Sequence, residues 1–231
     1  MGIRVPPDTR RRQLIAEAGK LLTLHGIEQV QITEVAERSG VSRPLVYRLF
    51  PTRQALLRAV LEDFTEFLGA RFQEALKRGE AASVEALTTT FVEACCDAIE
   101  QKGSGPWLLL EPRSADPELC SMARTVFVEL LDPWQQQLSF FLGVPASRAF
   151  YVLWIIVAAG RATLAGWIDG VVERKRAVTD ATRVVTALLS TFAGSSQPQL
   201  HAVPKGKASK RRQRSKPEIA KKGPHVRRVG P

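Results

Sequence analysis

Cysteine is scarce in this chain: three residues in 231, two of them adjacent, at Cys95, Cys96 and Cys120. An odd count without framework spacing excludes a disulfide-stapled secreted fold and suits a reduced, cytoplasmic protein. Histidine is equally sparse, at His25, His201 and His225, and two adjacent cysteines on a helix diverge by about 100°, so no metal site is expected. Inert core cysteines are one reading of the thiols and redox sensing another. Long hydrophobic runs are missing. The longest, Ala149–Gly160, ends at Arg161 and falls short of the ~20 residues a bilayer crossing needs. Met1–Arg10 holds two prolines and no apolar stretch of the kind a secretory signal carries. No membrane partner is therefore expected. Strand-like alternation is not sustained anywhere. Also missing are a glycine-rich phosphate loop, a Gly-x-Ser-x-Gly elbow, a His-Glu-x-x-His pair and any clustered acid–base set. The chain is thus not expected to be an enzyme, and it needs no cofactor.

What is present is an ordinary globular composition, 45% hydrophobic and 24% charged, long enough for one large domain or a small one fused to a medium one. The net charge of +10 is unevenly placed. Residues 1–53 carry +4, residues 54–195 carry −4, and residues 196–231 carry +10. Two basic ends around an acidic middle are an electrostatic footprint for phosphate, in nucleic acid or in anionic lipid. The last segment has five prolines and no helical period, so it is expected to be a disordered basic tail.

The expected fold class is all-α. Leu14, Ile15, Ala18, Leu21 and Leu22 form an amphipathic stripe over Thr9–His25, and Gly26 is placed to end that helix. Short helices follow over Ile32–Ser39 and from Ser42 onward. Thr52 is placed to cap the next helix, whose inner face carries Leu56, Val60, Phe64 and Leu68. Further helices are expected over about 81–101, 116–141, 146–171 and 177–193, with Pro106 and Pro112 bracketing a short apolar piece. The implied organisation is a small helical domain over 1–60, a larger helical domain over 61–195 and the tail over 196–231.

Residues 32–51, ITEVAERSGVSRPLVYRLFP, carry the functional signal. Two short helices crossing steeply need a small residue at their contact, supplied by Ala36. The sharp turn between them needs a residue that tolerates positive φ, supplied by Gly40. Val35, Val41, Val46 and Leu49 then face inward, leaving Ser42, Arg43, Leu45, Tyr47 and Arg48 outward. Pro44 breaks no hydrogen bond, because it lies in the first turn of its helix. This is the pattern of a helix-turn-helix whose second helix enters a DNA major groove.

Ile15, Ala18, Leu22, Gly26, Val35–Ala36, Gly40–Val41–Ser42, Tyr47, Phe50, Arg53 and Leu56 share one joint spacing. On them, the stretch Thr9–Phe64 resembles the N-terminal domain of the TetR family of transcriptional regulators. The resemblance implies a three-helix DNA-binding head, a larger helical domain that binds an effector, and a homodimer on a palindromic DNA operator. It also implies DNA contact by Tyr47, and phosphate contact by Arg53, which stands where the family usually has lysine. Ser42 is expected to cap the recognition helix and Arg43 to read guanine through its bidentate fork. Pro44, Leu45, Arg48 and Thr52 complete the recognition surface. Gln31, Leu45, Arg48 and Leu49 depart from the usual pattern, so the operator sequence does not follow. Arg10, Arg11 and Arg12 oppose the dipole of their own helix, and DNA phosphate would explain them.

The middle of the chain is rich in large side chains, among them Leu108, Leu109, Phe141 and Trp167. At helical spacing these are core residues. Under the resemblance, Phe91, Cys95, Trp107 and Leu110, with Phe127, Trp134 and Trp154, are expected around a cavity for an apolar or aromatic effector. Glu93, Asp97, Glu111 and Arg113 are its polar candidates. Ala158, Ala162, Ala165 and Gly166 form a stripe of small residues, and Val184, Val185, Leu188, Leu189 and Phe192 an apolar face on the last helix. Packing within the chain is one reading. The resemblance implies a dimer interface there, including Val185, Leu188 and Leu189. The expected function is a DNA-binding repressor released by effector. The alternatives are an activator or nucleoid-coating protein using the tail, and more remotely a helical enzyme or a tail-anchored peripheral membrane protein.

Overall fold

The computed structural model describes residues 6–79, 83–110 and 116–193, without the side chains of residues 133, 137 and 141. The tail, Glu111, Arg113, His201, His225 and the side chain of Phe141 lie outside the described residues. Among the described residues every regular element is helical: α1 Pro7–His25, α2 Ile32–Arg38, α3 Arg43–Leu49, α4 Arg53–Lys77, α5 Val84–Lys102, α6 Ser104–Leu108, α7 Pro117–Leu142, α8 Ala146–Ile168 and α9 Arg174–Phe192. A 3-10 turn, Ile27–Gln29, joins α1 to α2.

Local chemistry sets the ends. Gly26 closes α1 at φ +76°, its N–H donating to the Leu22 carbonyl at 3.1 Å. Gly40, at φ +63°, turns the chain between α2 and α3 so that the Val41 N–H reaches the Ala36 carbonyl at 3.0 Å. Thr52 caps α4 by accepting from the Ala55 N–H at 3.0 Å, and Asp116 caps α7 by accepting from the Glu118 and Leu119 N–H groups. Ser42 differs from expectation. It holds the N-cap position of α3, but its side chain makes no capping hydrogen bond, and its carbonyl accepts from Leu45 and Val46 instead. Pro106, expected at the edge of a short apolar piece, falls inside α6, and Pro112 lies outside the described residues.

Two features depart from the expected division. The boundary at residue 60 falls within α4, which continues unbroken to Lys77. The core is likewise continuous, from Leu14 on α1 through Leu56, Phe64 and Phe72 on α4 to Ala181 on α9. The head and the larger helical part therefore share a helix and a core. At their junction α6 lies against α1, with the Gly105 N–H donating to Thr23 Oγ1 at 3.0 Å. In addition, α8 runs seven residues past Arg161, to Ile168, and is by length and composition alone apolar enough to cross a membrane, with a mean hydropathy of 1.6. Its flanks pack on α7 and α9, while Tyr151, Trp154, Ala158, Ala162 and Ala165 stand along an exposed face.

Candidate nucleic-acid interface and cavity

The head is braced from within. Val35, Ala36 and Val46 are fully buried between α2 and α3, as their spacing requires. Arg38 on α2 donates to Glu17 on α1 at 2.9 Å, which holds the Glu17 carboxyl below its ordinary pKa and ties the two helices together. Ser42, Arg43, Pro44, Tyr47 and Arg48 are exposed on one side of α3, and Leu45 is half-buried beside them. Tyr47 keeps 48% of its surface, unusual for an aromatic residue next to a core. Arg43 pairs with Glu37 at 2.6 Å. Because both side chains are more than half exposed, the pair is worth at most about 1 kcal/mol, so a guanine edge can displace the carboxylate.

The three arginines of α1 separate. Arg11 lies over the Phe50 ring at 4.5 Å, which brings its charge to the C-terminal end of α3. Arg10 donates to Gln13 at 3.0 Å, and Arg12 is exposed. Thr52 is exposed at the start of α4, with its hydroxyl occupied as the cap.

Arg53 points elsewhere than the resemblance implies. Its guanidinium donates to the Val30 carbonyl at 2.8 Å and to the Ile27 carbonyl, and its side chain is only 17% exposed. Nη1 also lies 3.7 Å from Asp116 at the start of α7. The side chain clamps the turn that precedes α2.

The middle helices line an apolar cavity of about 160 Å³. Phe72 on α4, Phe91 on α5 and Trp134 on α7 form one wall, with ring centroids 5.0–6.3 Å apart. Leu153 and Ile156 on α8 and Val185 and Leu189 on α9 form the opposite one. Thr88 is the one hydroxyl-bearing residue among the described lining residues, and its hydroxyl already donates to the Val84 carbonyl at 2.8 Å. A second, larger cavity of about 440 Å³ takes Leu110, Phe127 and Trp154. The expected effector residues are thus divided between two sites.

Cys95 and Trp107 line neither cavity. Trp107 is buried against Phe64, and Cys95 is buried within α5. Burial raises the Cys95 thiol far above its ordinary pKa and the Cys96 thiol to about 11, which leaves both protonated and favours the inert reading over the redox one. Asp97 serves structure: it accepts from Arg71 on α4 at 2.8 Å and from Arg174 on α9. Glu93 is exposed at a shallow depression. Of the residues expected at a dimer interface, Ala158, Ala162 and Ala165 are exposed and Gly166 is half-buried. Val185 is buried, Leu188 is half-buried and Leu189 lines the cavity, while Val184 and Ala187 are among the exposed residues of α9. Phe72 continues the Phe64, Leu68 spacing by one more turn, a signal in the sequence that marks the cavity wall on α4.

Comparison with known proteins agrees with this geometry. Residues 14–60 match the model of bacterial regulatory proteins of the tetR family. The HTH-type transcriptional activator FasR of Mycolicibacterium smegmatis is 28% identical over 169 residues, covering 73% of this chain and 76% of FasR. The HTH-type transcriptional repressor KstR2 of the same organism is 27% identical over 96 residues, 42% of this chain and 46% of KstR2. A crystal structure of a tetR-family transcriptional regulator from Streptomyces coelicolor superposes with a TM-score of 0.56 at 25% identity, over 84% of both chains. These relatives are transcription regulators, not enzymes. Residues 14–60, which hold the buried small-residue crossing of α2 and α3 and the exposed cationic face of α3, thus match the tetR family of regulatory proteins, and the chain as a whole is similar to DNA-binding transcriptional regulators of that family.

Proposed function

We propose that this regulator is a homodimeric repressor that holds a palindromic operator with α3 and releases it when an apolar ligand enters the cavity between α4, α5, α7, α8 and α9. The observation that carries this reading is the continuity of α4: its first turn abuts the helix-turn-helix, and its Phe72 walls the cavity. A ligand that displaces the cavity end of a rigid helix changes the setting of the DNA end. The effect is a population shift, so the ligand must bind the DNA-incompetent arrangement more tightly than the competent one. Titration of apolar and aromatic ligands, followed in parallel by thermal stability and by operator release, tests it. Stabilisation and release are expected at the same concentrations, because they share one binding event. Ligands that stabilise the protein and leave DNA affinity unchanged overturn it.

The proposed dimer uses the exposed face of α8, from Tyr151 through Ala165, together with Val184 and Ala187 of α9. Small residues there permit close approach of a second copy, and covering the face removes the apolar surface that gives α8 its membrane-like composition. Ala162→Trp is expected to convert the dimer to monomer in analytical ultracentrifugation, since the ring has no room in a close crossing. An unchanged dimer moves the interface elsewhere. An activator is the second reading, favoured by the name of FasR, the relative matched over three-quarters of its length. Transcription in vitro from an operator-bearing promoter distinguishes the two signs. Under either sign the regulator works in the cytoplasm, on the nucleoid.

A further inference from the structure

An acid stands at the edge of the cationic face that α3 offers to DNA. Glu37 lies in the last turn of α2, and its carboxylate accepts from Arg43 Nη2 at 2.6 Å across the Gly40 turn. Beside phosphate such a charge is a cost, because it repels what Arg43 and Arg48 attract. It does little for the fold. Arg38 already ties α2 to α1 through Glu17, and Val35, Ala36 and Val46 close the crossing of α2 and α3. With both side chains more than half exposed, the Glu37–Arg43 pair contributes little stability. What it contributes is direction. Glu37 follows two fully buried residues, Val35 and Ala36, and its carbonyl accepts from the Gly40 N–H at 3.1 Å. Arg43 opens α3 beside Pro44, whose ring fixes the backbone of the first turn. Both ends of the pair therefore start from a rigid backbone.

A guanidinium carries five N–H donors, and the contact with Glu37 uses one, on Nη2. The other Nη2 hydrogen and those of Nη1 still form a two-donor edge, which is what guanine N7 and O6 accept. A guanine edge can displace the carboxylate, but it need not. Adenine offers one acceptor beside a donor, so the fork cannot pair with it twice. A phosphate accepts the same two donors whatever the sequence. It is an anion, however, and it meets a repulsion from Glu37 that a neutral base edge does not.

We propose that Glu37 is a positioning residue for sequence readout: it holds the Arg43 fork toward a guanine edge and away from phosphate. It thereby lowers affinity for random DNA and sharpens the preference for guanine at one position of each half-site. The proposal rests on the reading of α3 as the recognition helix with Arg43 at a base edge, and it adds the residue that aims the fork.

The test begins with selection of duplexes from a random pool by the full-length parent, by Arg43→Ala and by Glu37→Gln. The position whose preference Arg43→Ala abolishes is the one that Arg43 reads. Parent and Glu37→Gln are then titrated, at several salt concentrations, on three duplexes: the parent's selected sequence, the same sequence with guanine changed to adenine at that position in both half-sites, and a random sequence. The parent is expected to favour guanine over adenine about fivefold or more. In Glu37→Gln that ratio is expected to fall by about threefold or more, while affinity for the random duplex rises. The log–log salt slope on the random duplex is expected to steepen by about 1–2, as the freed Arg43 of each protomer gains a phosphate. Glutamine keeps the length of an exposed side chain, so the melting temperature is expected to stay that of the parent. An acid that merely repels DNA would, once removed, raise affinity for all three duplexes alike. That result, a guanine-to-adenine ratio equal to the parent's, overturns the proposal, as does a parent that selects another base at the Arg43 position. If Arg43→Ala relaxes a position that Glu37→Gln leaves intact, only this inference fails. If Arg43→Ala relaxes no position, the base-reading role of Arg43 fails with it.

Discussion

Gly105→Ala is expected to lower the melting temperature by about 2–12 °C. A Cβ at this position would meet the Thr23 nitrogen at 2.5 Å and the Leu22 carbonyl carbon at 2.7 Å. Both are backbone atoms of α1, so no side-chain rotation relieves the clash, and α6 must move off α1. Overpacking of this kind costs about 1–3 kcal/mol, and in a chain of this size each kcal/mol is worth about 2–4 °C. The hydrogen bond from Gly105 to Thr23 Oγ1 is lost in the same movement. Gly69→Ala is the control. That glycine lies within α4 with nothing inside 4 Å of an added Cβ, so alanine is expected to stabilise by up to about 1 kcal/mol through helix propensity. Differential scanning calorimetry of the two variants checks both signs. An unshifted Gly105→Ala would mean that α6 does not press on α1.

Arg53→Ala is expected to weaken operator binding through the fold, without a change in salt dependence. The guanidinium satisfies the Val30 and Ile27 carbonyls from a largely buried position, and hydrogen bonds to a charged group are worth about 1.5–3 kcal/mol. Losing them loosens the turn that sets α2, and with it the angle at which α3 meets DNA. Melting temperature and operator affinity should therefore fall together. A phosphate contact predicts something different: a drop of about 1 in the log–log salt slope with the melting temperature kept. Measuring both quantities on the same variant separates the two roles. Arg53→Lys retains the charge but not the fork, so it is expected to recover only part of the stability.

The partners of Arg53 within the chain show where sequence reasoning stops. The position of Arg53 was legible, because the spacing from Gly40 through Thr52 places it at the first residue of α4. Its direction was not, since the carbonyls it serves lie more than twenty residues away and meet it only through tertiary packing. The turn at Gly40, the end at Gly26 and the cap at Thr52 were legible for the opposite reason: each is decided by residues within four positions. The cavity was partly legible. Phe91 and Trp134 at helical spacing look the same whether they fill a core or wall a chamber, and only the arrangement of five helices distinguishes the two. Val185 and Leu189 turned inward because the outward face of α9 is small and polar as well as apolar. Hydrophobicity alone therefore does not divide that helix between its cavity side and its outer side.

DNA recognition by the outward face of α3 is tested most directly by one measurement. The full-length protein is used to select duplexes from a random pool, and the winning sequence is titrated with the parent and with a variant carrying Arg43→Ala, Tyr47→Ala and Arg48→Ala. All three side chains are exposed, so circular dichroism and dimerisation should be those of the parent. The parent is expected to select a palindrome whose half-sites are about one helical turn apart, or a multiple of it. The variant is expected to bind that sequence at least about a hundredfold more weakly, since each lost base or backbone contact is worth about 1–3 kcal/mol. A folded variant that binds the selected palindrome with the parent's affinity would contradict the assignment of α3 as the recognition helix.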